Sequence, residues 1–253
     1  MTAPLFFADA DRLRAAAVGD IIELDGPEGH HAATVRRVAV GERLELADGA
    51  GLVWLAEVTA VQARSLHARL LERRETLSAR PSVTVVQALA KGDRDERAVE
   101  TMTEVGVDLI VPWEASRSIV RWDADRAAKG VTRWRSTARE AAKQARRPVI
   151  PTVAELASTA QVVTRLREAA ASVGGLPVVL HESATVPLTS VLSAQVAAVV
   201  LVIGPEGGIS DDELTAFEAA GAALCRLGPT VLRTSTAGTV AAAVVLANSG
   251  RWA

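Results

Sequence analysis

The stretch from Ala198 to Ala247 leaves few choices of fold. Ala198 to Ile203 is an apolar run dominated by β-branched residues, the pattern of a strand buried on both faces. Gly204-Pro205-Glu206-Gly207-Gly208 ends it, because glycine admits positive φ and lets a ligand approach the backbone closely. Ser210 and Glu213 have capping-box spacing, so a helix starts there and Gly221 closes it. Leu224 to Leu227 is a second strand, and Gly228-Pro229 opens a second loop carrying Leu232-Arg233-Thr234-Ser235-Thr236. The last helix, Ala237 to Ala247, is almost wholly apolar and therefore buried. Two glycine loops after successive parallel strands lie at one sheet edge, where open α/β folds bind ligands. Taken alone, they read equally as tight turns and as a ligand cradle. Neither G-x-x-x-x-G-K-[ST] nor G-x-G-x-x-G is present, which removes the P-loop and the Rossmann fingerprint.

The same alternation starts further back. Val83 to Leu89 reads as a buried strand, Asp93 to Val105 as an amphipathic helix closed by Gly106, and Leu109 to Val111 as a strand. A basic helix over Val131 to Ala145, a helix over Ala160 to Ala171 and a strand over Pro177 to His181 follow. Strands separated by helices imply crossovers and a parallel sheet, so residues 82–253 form an α/β domain. Residues 1–72 differ: Arg43 to Leu46 and Leu52 to Val58 flank Asp48-Gly-Ala-Gly51, a hairpin pattern that suggests a small β barrel. The charged, polar run from Glu72 to Pro81 marks the boundary, with a linker over 73–81.

Composition matters chiefly for what it excludes. Apolar runs such as Val196 to Ile203 stay far short of the ~18 residues of a membrane span, and residues 1–14 lack the pattern of a signal peptide. Cys225 is the only cysteine, which rules out internal disulfides and fits a cytoplasmic location. With four histidines at 30, 31, 67 and 181, no metal-ligand spacing appears, and no metal is expected.

A net charge of −2 does not announce a nucleic-acid binder, but positive charge is concentrated locally. Between Arg117 and Arg147, ten basic residues face only Asp123, Asp125 and Glu140. Arg135, Arg139, Lys143 and Arg146 recur three to four apart, which sets them in one row along a helix, with Arg147 following. Such a row is either the footprint of a phosphate backbone or a solvated helix face. Arg12, Arg36 and Arg37 in the β domain offer either a second set of phosphate contacts or, for Arg36 and Arg37, a solvated turn of helix, and Lys91 and Arg94 offer a third set after the first α/β strand. With no tyrosine and few other aromatics, recognition would rest on arginine and shape; Trp113, Trp122 and Trp134 read as packing residues.

Ile203-Gly-Pro-Glu-Gly-Gly-Ile209 followed by Leu227-Gly-Pro-Thr-Val-Leu-Arg-Thr234 resembles the paired C-terminal signature of the SPOUT methyltransferases. More closely, it resembles the RsmE family, which methylates N3 of a uridine in 16S rRNA of the small ribosomal subunit. Gly29 to Val38, with His31, Val35 and Arg37, Lys91-Gly-Asp-Arg94, and the run from Arg133 to Gln144 resemble further patterns of that family. The resemblance implies a trefoil-knotted sheet, an exception among chain topologies, preceded by a PUA-like barrel. It implies S-adenosylmethionine as cofactor, a homodimer, and a cofactor site built from Leu180, His181, Glu182, Ile203, Gly204, Pro205, Glu206, Gly207, Gly208, Leu227, Gly228, Val231, Leu232, Arg233, Thr234, Ser235 and Thr236. RNA contacts are then expected from Arg12, Arg36, Arg37, Lys91, Arg94, Arg117, Arg135, Arg139, Lys143, Arg146 and Arg147. The family commonly has Glu where this chain has Ser235, so that carboxylate has no counterpart here.

Methyl transfer to a uracil nitrogen needs an in-line methyl, loss of the N3 proton and support for the developing anion. Arg233, in a loop bordering the cofactor, is the candidate for the last of these. No histidine lies in either signature loop, and Glu206 is the nearest carboxylate; the proton acceptor stays open. A SPOUT enzyme acting on another nucleotide, and a non-catalytic RNA-binding assembly factor, remain the alternatives at this point.

Overall fold

Alternating apolar residues at Leu44, Leu46, Leu52, Trp54, Ala56 and Val58 turn one face of a twisted sheet inward. The computed structural model describes residues 3–76 and 79–252. It divides into two units, Met1–Leu77 with Ala142–Ile150, and Ser78–Ala141 with Pro151–Ala253. In the first unit β1 (Leu5–Phe7), α1 (Ala10–Ala15), β2 (Ile21–Leu24) and α2 (Gly26–His30) precede a π-helical turn over His31–Val35. β3 (Arg43–Ala47), β4 (Leu52–Val61) and β5 (Leu66–Glu75) complete a sheet of order β1-β3-β4-β5-β2, antiparallel except for β1 beside β3. Trp54 lies fully buried at its centre, where its indole Nε1 donates to the Leu13 carbonyl at 3.0 Å. The β3–β4 hairpin is held by Asp48, whose Oδ1 accepts from the amides of Ala50 (2.7 Å) and Leu52 (3.0 Å).

The expected boundary at residue 72 falls inside a strand. β5 continues to Glu75, paired with Leu52 across the sheet; the charged residues that suggest a linker, Glu72 to Glu75, are the end of this strand, where both faces are exposed. Leu77 and Ser78 of that linker lie outside the described residues. Residues 142–150 also belong to this unit, a return of the chain that no local pattern announces.

In the second unit every neighbouring strand pair is parallel. Chain order is β6 (Ser82–Ala88), α3 (Arg94–Val105), β7 (Leu109–Trp113), α4 (Ala124–Gln144), β8 (Thr152–Val153) and α5 (Thr159–Ala171). β9 (Gly175–Leu180), β10 (Val186–Pro187), α6 (Leu188–Val191), β11 (Ala198–Ile203), α7 (Asp211–Ala219), β12 (Ala223–Arg226) and α8 (Thr234–Asn248) follow. Sheet order is β10-β12-β9-β11-β6-β7-β8, so β11 is central and apolar on both faces. Two capping boxes, Ser158 with Gln161 and Ser210 with Glu213, start α5 and α7.

Three departures from the sequence reading have physical causes. α4 begins seven residues earlier than Val131: Asp123 caps it through the Arg126 amide, and the glycine at 130 is an interior residue. A Cβ at Gly130 would stand 2.5 Å from the ring of Trp122, which itself packs edge-on against the buried Trp134. α8 starts at Thr234 rather than Ala237, so three residues read as loop form its first turn, and it packs on α3, β6 and β11. β8 and β10 are two residues each, too short to show a period. Cys225 is fully buried and burial pushes its thiol up, which makes it inert. Among the described residues no helix is long and apolar enough to cross a membrane, and no group of three His, Cys, Asp or Glu residues could hold a metal ion.

Candidate active site

Because β9, β11 and β12 run parallel, the segments after Leu180, Ile203 and Arg226 emerge at the same edge of the sheet. They enclose a cavity of about 500 Å3. Of the residues expected around a cofactor, Leu180, His181 and Glu182, Ile203 through Gly208, and Val231 through Thr234 line it. Leu227 and Gly228 line an adjoining cavity of about 90 Å3, while Ser235 and Thr236 line neither. Arg94 and Arg117, read from sequence as RNA contacts, line the larger cavity as well. Ile209 and Ala237 line it too and were not singled out in the sequence. Ala237 sits one helical turn beyond Arg233 and Thr234, a spacing that would have found it.

The glycine loop is shaped by its neighbours. Gly208 has φ 75°, and a Cβ at Gly207 would stand 2.9 Å from the carbonyl oxygen of Arg117. Glu206 ties the loop down: its Oε1 accepts from Arg94 Nη1 at 2.7 Å and from the Lys91 amide at 3.3 Å. Burial pushes the Glu206 carboxyl up, but the Arg94 guanidinium and the backbone amides outweigh it and hold the group below its ordinary 4.5. A carboxylate so held is a weak proton acceptor. Ser116, the residue before Arg117, is held by Glu213, which is 4% exposed. Glu213 accepts from the amide and hydroxyl of Ser116, both at 2.8 Å, and from Thr159 Oγ1 at 3.0 Å, besides capping α7.

A buried hydroxyl joins the two signature loops. Thr234 Oγ1 donates to the Gly204 carbonyl at 2.8 Å and accepts from Gln87 Nε2 at 2.9 Å. Gln87 is wholly buried on β6, and sequence reasoning passed over it; its one signal was a polar residue inside an apolar strand. Arg233, the residue before Thr234, is exposed and extends from the N-cap of α8 with ordinary dihedrals (φ −67°, ψ 150°). Among the described residues its guanidinium has no hydrogen bond or ion pair, so a free cation borders the cavity.

Residues 78–246 match the RNA methyltransferase domain family, and residues 24–71 match the RNA methyltransferase PUA domain. The chain is 46% identical over its whole length to the ribosomal RNA small subunit methyltransferase E of Mycobacterium bovis, covering 94% of that protein. It belongs to this RNA methyltransferase family. Among solved structures, a methyltransferase from Legionella pneumophila with bound cofactor SAM superposes with a TM-score of 0.84 at 29% identity, covering 98% of each chain. The ribosomal RNA small subunit methyltransferase E of Neisseria gonorrhoeae, bound to S-adenosyl methionine, superposes with a TM-score of 0.84 at 25% identity, covering 97% of this chain and 98% of its own.

The basic row of this family member is not a free cationic face. Arg135 donates to the Val153 carbonyl and pairs with Glu155 at 2.7 Å. Lys143, only 8% exposed, pairs with Glu28 at 2.8 Å. Arg139 and Arg147 are also engaged. Of Arg135, Arg139, Lys143, Arg146 and Arg147, Arg146 is the one without a side-chain partner among the described residues, and with Arg36 it borders a cavity of about 140 Å3 in the first unit. Arg12 and Arg37 are exposed, as is Lys91 in the turn before α3.

Arg146 and Arg37 share an unusual backbone, with φ of 53° and 52°. Arg146 occupies the position just past α4 where the last turn is closed by Arg147 N to Ala142 O (2.8 Å) and Arg146 N to Lys143 O (3.1 Å). Glycine is the usual residue in that motif. A left-handed residue with a Cβ costs roughly 1–2 kcal/mol, and a cation at a helix C-terminus returns about 0.3–1 kcal/mol. The dipole therefore does not offset the strain.

Proposed function

We propose that the chain transfers a methyl group from S-adenosylmethionine to N3 of a uridine in 16S rRNA of the small ribosomal subunit. The observation that carries this is the joining of three strand-end loops, one of them glycine-rich, around a cavity bordered by Arg233, unpaired among the described residues. At about 500 Å3 the cavity falls within the roughly 300–1,000 Å3 of small-molecule sites. Leu180, Ile203 and Leu232 offer apolar walls for an adenosine, and Gly207 and Gly208 admit the ligand against backbone. When bound, S-adenosylmethionine supplies an electrophilic methyl on a sulfonium.

The chain's own residues then have separate tasks. Glu206, ionised and bound to Arg94, fixes the glycine loop. Thr234 and Gln87 fix the second loop against the first, so Arg233 leaves α8 at a set position. Arg233 places positive charge where the uracil becomes anionic as N3 loses its proton, the kind of preorganised stabilisation that lowers a barrier most. The first unit, with its PUA-domain match, holds the RNA. The reading includes the trefoil knot, action in the cytoplasm and a homodimer, the last checked by a solution mass twice the 26.5 kDa of one chain.

Labelled methyl transfer from S-adenosylmethionine to small ribosomal subunits lacking the modification, with the modified base mapped, tests it. Label on N3 of one 16S rRNA uridine is the expected result. Label on a different nucleotide would replace the substrate and keep the enzyme class; neither label nor cofactor binding would remove the catalytic reading.

A further inference from the structure

We propose that the cavity beside β1 in the first unit binds a phosphate of the RNA backbone, an inference that rests on the chain acting on RNA. The cavity, about 140 Å3, is bordered by Leu5, Phe6, His31, Arg36, Lys143 and Arg146. That is roughly five water volumes, room for a phosphate group but not for a nucleotide. Its aromatic floor is closed to stacking: Phe6 is 1% exposed, with Lys143 Nζ 5.6 Å from its ring centre and His31 edge-on at 6.2 Å. Base recognition through a ring face is therefore not available.

Charge bookkeeping leaves two cations. Lys143 is matched by Glu28. Arg36 and Arg146 have no side-chain hydrogen bond or ion pair among the described residues, and both border the same space. The backbone points the same way. Arg37, next to Arg36, and Arg146 are the two non-glycine residues with positive φ among the described residues. Strain of this kind persists where the strained element does a task that its relaxed form would not. Glycine at 146 would close α4 with less strain and would remove the cation. Two arginines bordering a space sized for a phosphate supply the kind of donor that phosphate oxygens take best.

The test compares the intact protein with Arg36→Gln, Arg146→Gly and the double variant. Affinity for a 16S rRNA fragment is read by fluorescence anisotropy over a salt series, with melting temperature, the KM for RNA and the Kd for S-adenosylmethionine measured alongside. In the double variant RNA affinity should fall about tenfold. The slope of log K against log salt should flatten by about 0.7, the loss of one phosphate contact to a single strand. The cofactor Kd should hold, the KM for RNA should rise, and Arg146→Gly should melt no lower than the parent. Unchanged affinity and slope would overturn the site, as would a loss of affinity accompanied by a lower melting temperature. Displacement of RNA by inorganic phosphate at low millimolar concentration would assign the cavity to the free anion instead. An intact protein that methylates normally, with an unchanged slope in the double variant, removes this site and keeps the enzyme. A flattened slope with no methyl transfer by the parent does the reverse.

Discussion

α3 and α4 end in the same hydrogen-bonded motif and fill its left-handed position differently. At α3, Val107 N bonds to Met102 O (3.0 Å) and Gly106 N to Thr103 O (3.2 Å), with Gly106 at φ 110°. At α4 the same pair of bonds surrounds Arg146 at φ 53°. The contrast extends to the two cavities. The edge of the parallel sheet carries glycine where the chain turns, and Arg233, without a hydrogen bond or ion pair from its guanidinium among the described residues, stands on relaxed backbone. Beside β1, the turn that ends α4 carries Arg146 and accepts the strain. Where a ligand is to lie against main chain, the side chain is removed; where charge is required at a turn, the glycine is given up.

The strongest way to break this contrast is to put a side chain on the bare loop. Gly207→Val should raise the Kd for S-adenosylmethionine more than about 100-fold, since the new atoms meet the Arg117 carbonyl on one side and the ligand space on the other. Circular dichroism should show the fold kept. A Kd within threefold of the parent, by calorimetry, would mean that the glycine loop is only a turn. Arg233→Ala asks whether the relaxed cation serves chemistry or binding. Its kcat should fall by roughly 10²- to 10³-fold, in the range seen for removal of a preorganised charge-stabilising donor, with cofactor Kd unchanged. A raised KM for RNA at normal kcat would move Arg233 from catalysis to docking.

Much of the sheet was legible because β-branched runs, capping boxes and glycine stops act locally. Ala198 to Ile203 and Ser210 with Glu213 needed no partner to be read. What escaped depends on neighbours distant in sequence. The helix read from Val131 starts at Ala124, and the glycine at 130 inside it is explained only by Trp122 lying across it. Arg135 and Lys143 look like a phosphate-binding row until Glu155 and Glu28 are found opposite them. Gln87 looks like an interruption in a strand, and only the meeting of β6 with α8 shows that it holds the second loop. The left-handed arginines carry no sequence mark at all, because arginine is unremarkable on either side of a helix end.

A smaller effect bears directly on the two helix ends. Gly106→Arg would give α3 the residue that α4 carries. The nearest atom to a Cβ there is Leu246 Cδ1 at 3.5 Å, an ordinary contact, so the Cβ itself adds only a backbone cost; Arg251, which donates to the Gly106 carbonyl at 3.2 Å, is already paired with Asp108. Roughly 1–2 kcal/mol is expected from the left-handed conformation. For a chain of this length that corresponds to a fall in melting temperature of about 2–8 °C. RNA affinity and its salt slope should not change, because the new arginine does not border the cavity beside β1. If Gly106→Arg melted with the parent, arginine at such a position would be free of cost in this protein. Arg146 would then need no functional reason to be there, and the strain argument for the phosphate site would fall while its two unpaired guanidiniums remained.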